Sequence, residues 1–287
     1  MPYDHSTKIG NHGDVLKHIA LFAALRHLLG QSERNGRRFG FADIHSGRPQ
    51  YVLPDKGEWQ FGIGRFSNLP EIRNDRKRRN QGKPTELGIV GEFDETVIGR
   101  RLTSGMIYPG SAGIAFRLLR ESKFGFTMKL WEHDRAAADD SLRYFFPWHE
   151  QVTTVCGNGY EVTKEKDPFS LVLIDPPRIE QADSALETMR QLAAVGTPYL
   201  CWMPRTARSV PPEDDEDPSE KWASEEAATS KEYITSAVKH GRCLCILWKP
   251  EWGPNPGCSI TASPKIAEIV APAVKRVAEM MGWAFAG

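Results

Sequence analysis

The sequence predicts an α/β fold: a mostly parallel sheet with helices on both faces and one small inserted subdomain. Three observations predict it. Short, continuously apolar runs alternate with segments of helical periodicity, the pattern of a sheet covered on both sides. The apolar runs end abruptly at acidic residues followed by turns. One stretch, residues 51–105, breaks the alternation with polar, basic, turn-rich sequence, so the chain reads as a single domain over 1–287 with 51–105 inserted and expected to recognise the substrate.

In chain order, Val15, Leu16, Ile19, Phe22, Ala23, Leu25 and Leu29 supply the apolar stripe of a first helix, with Asp14 expected as its cap and Gly30 as its end. A first strand is expected in RRFGFADIHSG, stopping at Asp43, and a second in FTMKLWEHD, ending on Glu132. The run SLVLI, cut off by Asp175 and two prolines, has the unbroken apolar character of a strand buried on both faces. TPYLCWMP and CLCILWKP are read as two more buried strands, and SAGIAFRLLRES and SALETMRQLAAV as helices between them.

Composition narrows the function classes. No run approaches the eighteen apolar residues of a membrane span, and the polar start lacks a signal-peptide core, so a cytoplasmic protein is expected. Five cysteines (Cys156, Cys201, Cys243, Cys245, Cys258) without a CxxC pair predict neither a disulfide framework nor a thiolate zinc site. His5, His12 and His18 with Asp14 fit no common zinc spacing, so no metal is expected.

The 37 basic and 37 acidic residues cancel, so any attraction to nucleic acid must come from local segregation of charge. Arg73, Arg76, Lys77, Arg78, Arg79 and Lys83 cluster in one segment, and Glu213, Asp214, Asp215, Glu216, Asp217 and Glu220 in another. The first is read either as a phosphate-binding surface or as a solvated charge run.

Asp175-Pro176-Pro177 directly after a buried strand is the sharpest chemical signal. That placement projects a carboxylate and a prolyl carbonyl from the carboxyl edge of the sheet, where open α/β folds bind ligands. Two acceptors aimed at one amino group favour a pyramidal nitrogen and release a lone pair otherwise delocalised into an aromatic ring. Proline holds the turn rigid and offers no competing N–H. The tripeptide alone also reads as a simple strand-ending turn.

Its company points to the chemistry. YDHSTKIGNHGDVLKH at the start, DIHSG at Asp43 to Gly47, GEWQFGIGRF at Gly57 to Phe66, YPGS at Tyr108 to Ser111, LWEHD at Leu130 to Asp134, Asn158-Gly159 and LVLIDPP at Leu171 to Pro177 together resemble the RlmJ-type 23S ribosomal RNA adenine-N6 methyltransferases, in order and spacing, over residues 1 to about 205. The resemblance implies a Rossmann-like methyltransferase fold, S-adenosylmethionine as cofactor, and N6 methylation of a specific adenine in 23S rRNA as the reaction of a monomer. Carried over by position, it implies Asp175 and Pro176 as the catalytic acceptors and His18, His45, Gly47, Ser111, Glu132, Asn158 and Gly159 as cofactor-contacting. It implies Tyr3, His5, Lys17 and Arg178 near the target nucleotide.

Glu132 at a strand end suits the two ribose hydroxyls, Gly47 a close backbone approach, Asn158 the cofactor's adenine amine, Tyr3 stacking on a flipped base, and Lys17 a phosphate or carboxylate. Three positions depart from the family. Asn158 stands for an aspartate, Arg178 for an aromatic residue after the prolines, and Arg48-Pro49 for a further glycine after Gly47. A guanidinium plane also stacks on bases. The departures leave open methylation of DNA or of another amine-bearing base, and a non-catalytic RNA-binding module that keeps the fold.

Overall fold

The computed structural model describes residues 8–177, 181–205, 233, 236–239, 241–247 and 257–286. Tyr3, His5, Arg178 and the acidic segment at 213–220 lie outside them.

The first helix, α1 (His12–Arg34), starts earlier and ends later than the pattern suggests. Its cap is Asn11, whose Oδ1 accepts the Asp14 N–H at 3.0 Å; Asp14 sits in the first turn, not at the cap. Gly30 lies inside the helix, and the chain turns out only after Asn35, at Gly36 with φ of 62°. Every residue from 12 to 25 is buried, so the first part of the helix is enclosed on all sides and not merely along a stripe.

Behind it come β1 (Phe39–Asp43), β2 (Gln50–Val52), the short helices α2 (Ile63–Asn68), α3 (Pro70–Arg79) and α4 (Ile89–Phe93), then β3 (Ile107–Pro109) and α5 (Ser111–Leu119). The alternation continues with β4 (Phe126–Glu132), α6 (Arg135–Phe145), β5 (Val152–Cys156), β6 (Leu171–Ile174), α7 (Ala182–Ala194) and β7 (Tyr199–Arg205). It closes with β8 (Arg242–Leu247), β9 (Gly257–Ala262), α8 (Pro264–Met281) and β10 (Ala284–Ala286).

Eight strands form one sheet in the order β10-β8-β9-β7-β6-β1-β4-β5. The block from β7 to β5 is parallel, while β9 runs antiparallel between β7 and β8, and β10 antiparallel beside β8. The mostly parallel α/β architecture expected from the sequence is therefore present. Alternate residues of β6 serve opposite faces: Leu171 and Leu173 join a core with α1, α5 and α8, whereas Val172 and Ile174 join one with α7.

The chain steps from β1 to β4 to β5 in one direction, then returns to the other side of β1 for β6 and β7. That reversal opens a crevice at the carboxyl ends of β1 and β6, the place where doubly wound sheets bind ligands.

Between β2 and β3, which pair as a separate two-stranded ribbon, lie the short helices of the 51–105 stretch. Ile63, Phe66, Ile72, Val90 and Phe93 enter the same core as α1, so this stretch is packed onto the body of the molecule.

The basic run falls on α3, and its cations divide. Arg76 and Arg79 turn inward: Asp94, fully buried, accepts from Arg76 Nε at 2.8 Å and from Arg79 Nη2 at 2.7 Å, and Asp75 accepts from Arg79 Nε at 2.9 Å. Arg78 pairs with Glu86 at 2.7 Å. Arg73, Lys77 and Lys83 remain exposed and are the members of the run able to meet a phosphate.

Because truncating one partner strands the charges it compensated, Asp94→Ala is expected to destabilise the fold by about 3–5 kcal/mol. Urea unfolding checks it; a loss under about 1 kcal/mol would show the network to be dispensable.

Candidate active site

Four polar residues in the enclosed part of α1, residues 12–25, need a reason, since charged side chains are rarely fully buried unpaired. In α1 they are His12, Asp14, Lys17 and His18. Lys17 leads to the site. Its Nζ donates to Asp175 Oδ2 at 2.7 Å and lies 2.8 Å from Asp14 Oδ1. Burial opposes the ammonium, but the charges and hydrogen bonds of Asp14 and Asp175 outweigh it and raise the Lys17 pKa well above the ordinary lysine value.

Asp175 follows β6 directly. Its backbone N–H donates to His45 Nδ1 at 3.2 Å, so the strand-ending turn is held from the main chain as well as from the side chain. Burial depresses the His45 pKa to about 3, leaving a neutral ring; with Nδ1 accepting, its proton belongs on Nε2.

The loop after β1 runs across the crevice. Asp43, at the strand end and fully buried, accepts from Ser111 Oγ at 2.6 Å and from the His45 N–H at 3.2 Å. Burial pushes its carboxyl up to about 7 against these two hydrogen bonds. Ser111 opens α5, immediately after Pro109-Gly110, and His18 Nδ1 meets the Tyr108 hydroxyl at 2.8 Å beside it.

Gly47, at φ of 58°, donates its N–H to Glu132 Oε2 at 2.7 Å, and Glu132 Oε1 accepts the Asp134 N–H at 2.8 Å. A side chain at Gly47 would meet the Tyr51 hydroxyl at 2.7 Å, so only glycine brings this backbone to the carboxylate. Each Glu132 oxygen thus has one partner and keeps a lone pair for a further donor.

From the neighbouring strand β5, Gly157 N–H donates to Glu132 O at 2.9 Å, and Asn158 Oδ1 accepts the Tyr160 N–H at 3.1 Å, capping the 3-10 turn that Gly159 opens. At Gly159 a Cβ would lie 2.0 Å from Ile44 O, so the β5 loop rests directly on the β1 loop. Tyr160 meets His45 edge-on at 5.1 Å between ring centroids and donates to Gln181 Oε1 at 3.2 Å.

Across the sheet edge, the carboxyl ends of β6, β1, β4 and β5 therefore present Asp175, the loop from Asp43 to Gly47, Glu132 and Asn158-Gly159 in that order. Of the predicted site residues that the structure describes, His45, Gly47, Glu132, Asn158, Gly159, Asp175 and Pro176 lie along this edge, Ser111 joins it through Asp43, Lys17 grips Asp175, and His18 bonds Tyr108. Of the two partners expected for Lys17, a phosphate or a carboxylate, the structure provides carboxylates, those of Asp14 and Asp175.

Sequence reasoning did not single out Asp14 as a partner of Lys17, Asp43 as a buried acceptor, or Tyr160 as a support for His45. The i,i+3 spacing of Asp14 and Lys17 on a helix was an available signal. The bond between His45 and the Asp175 main chain, 130 residues apart, leaves no local signature.

Among the described residues no group of three or more His, Cys, Asp or Glu side chains could hold a metal ion, and no helix is long and apolar enough to cross a membrane.

No family model matches the chain. It is 32% identical over 222 residues to the ribosomal RNA large subunit methyltransferase J of Haemophilus influenzae, spanning 72% of each chain. It is 29% identical over 228 residues to the protein of the same name from Escherichia coli, spanning 72% of this chain and 71% of that one. A crystal structure of a Legionella pneumophila protein superimposes with a TM-score of 0.66 at 18% identity, covering 97% of both chains, so the fold is shared along nearly the whole length. With the resemblance confirmed at that identity and coverage, the chain belongs to the family of ribosomal RNA large subunit methyltransferase J.

Proposed function

We propose that this chain uses S-adenosylmethionine to methylate the exocyclic N6 amine of an adenine in the 23S RNA of the large ribosomal subunit. The observation that carries the reading is Asp175, held at the carboxyl end of β6 by Lys17 through its side chain and by His45 through its main chain.

The cleft fits the cofactor by its own geometry. Glu132, anchored by two backbone N–H groups, keeps lone pairs for a pair of ribose hydroxyls. Gly47 and Gly159 bring main chain where a Cβ would collide, and Asn158, the cap of the 3-10 turn after β5, carries an amide of the kind that pairs with an adenine edge. His18, His45 and Ser111 complete that wall. When bound, the cofactor supplies a methyl group on a positively charged sulfur.

The remaining work falls to the chain. A base stacked in a duplex cannot reach a sheet-edge cleft, so the target adenine is taken out of its stack. One hydrogen of its amine is accepted by the Asp175 carboxylate and the other by the Pro176 carbonyl, which turns the nitrogen lone pair out of the ring plane. Asp175 then stabilises the positive charge that develops on that nitrogen.

Incubation of the purified protein with labelled S-adenosylmethionine and either unmodified total rRNA or DNA, followed by identification of the labelled nucleoside, tests the proposal. N6-methyladenosine from rRNA is expected. Label on DNA alone, or on another nucleoside, would overturn it.

A further inference from the structure

One ammonium lies between two carboxylates beside the proposed reacting atoms. Lys17 Nζ is 2.7 Å from Asp175 Oδ2 and 2.8 Å from Asp14 Oδ1, and the side chains of Lys17 and Asp14 are only 7% and 4% exposed. Asp14 is itself fixed, since its Oδ2 accepts the Gly10 N–H at 2.7 Å and its own N–H donates to Asn11. Among the described residues, Trp202, whose ring centroid lies 5.5 Å from Lys17 Nζ, the neutral phenols of Tyr51 and Tyr108, and Asp43 also face this trio.

A Lys17–Asp175 pair alone would be neutral, and its ammonium would draw on the electron density that Asp175 offers to an amine. A second carboxylate shares that ammonium and gives the trio a net charge of minus one. Resting on the functional reading above, we infer that Asp14 is a positioning residue of the methyl-transfer step: it holds Lys17 back from full pairing with Asp175 and adds a negative charge near the place where positive charge grows on the amine. Preorganised charge of this kind acts in the transition state and not in ground-state binding. Its signature is a loss in kcat with little change in KM.

Two variants separate charge from shape. Asp14→Asn keeps an oxygen for the Gly10 N–H and removes the charge; kcat is expected to fall on the order of tenfold to a hundredfold, with KM for S-adenosylmethionine and for rRNA within about threefold of wild type. Asp14→Glu keeps the charge and is expected to lie much closer to wild type in kcat. Wild-type kcat in Asp14→Asn, or equal loss in the two variants, would overturn the inference.

An independent measurement needs no turnover. Titration of Lys17, followed by NMR at its ε-carbon in the protein alone, is expected to show a lower pKa in Asp14→Asn than in wild type, and an unchanged pKa would also overturn it. Absence of methyl transfer by wild type on any nucleic acid would instead defeat the functional reading, and the NMR result would still report on Asp14.

Discussion

Asp175→Ala is expected to lower methyl transfer by about 10²–10³-fold or more, while leaving affinity for S-adenosylmethionine within a few-fold of wild type. On the proposed mechanism the carboxylate faces the amine, while the groups assigned to the cofactor lie elsewhere, on the loops after β1, β4 and β5 and on α1 and α5. Its loss therefore removes an interaction made as charge develops, which depresses kcat more than KM. Asp175→Asn retains an acceptor oxygen but no charge, so it should fall between alanine and wild type. Single-turnover rates with labelled cofactor, set beside calorimetric binding of the same cofactor, make the measurement. An alanine variant that transfers at the wild-type rate, or one that loses cofactor binding in proportion to activity, would remove Asp175 from the centre of the reaction.

Gly159→Ala should damage both the cleft and the fold. Its Cβ would stand 2.0 Å from Ile44 O and 2.7 Å from Ile44 Cβ, and the first of these is main chain that no rotamer change can clear. Either the β5 loop lifts or the β1 loop sinks, and each of them carries proposed cofactor contacts. A cost of about 1–3 kcal/mol is expected from the overpacking, seen as a fall in Tm of several degrees, together with weaker binding of S-adenosylmethionine. A variant with unchanged Tm and unchanged affinity would mean that these two loops are not held in contact.

The strands that carry the site were legible in two ways: Leu171–Ile174 is the unbroken apolar run of a doubly covered strand, while Phe39–Asp43 and Phe126–Glu132, the latter interrupted by Thr127 and Lys129, are apolar segments that stop at an acidic residue. The two strands read at TPYLCWMP and CLCILWKP are also present. β9 was not read as a strand, because Gly257–Ala262 mixes small and polar residues; Ser259 and Thr261 are buried all the same, being hemmed in by β7 and β8. Boundaries of α1 were misplaced for a local reason: two capping-competent residues, Asn11 and Asp14, stand three apart, and only the observed hydrogen bond from Asp14 N–H to Asn11 shows which one caps.

For the site, residue types and order along the chain carried the reading as far as which side chains gather at the sheet edge. How they are bonded was hidden, because Lys17 with Asp175, Ser111 with Asp43 and Gly47 with Glu132 are separated by 158, 68 and 85 positions. Division of the basic run was hidden for the same reason. Asp94, which draws Arg76 and Arg79 inward, lies 15 or more residues downstream.

The packing of α8 against α1 bears on how the molecule comes into being. Val270, Val274 and Val277 share a core with Leu16, Ile19 and Ala20, so the helix that carries Lys17 is shielded from water only once the segment near residue 277 is in place. During translation, α1 leaves the ribosome more than 200 residues ahead of α8 and must wait for it before this part of its apolar surface is covered. A nascent chain short of α8 exposes that surface, so the helix that presents Lys17 gains its full packing late.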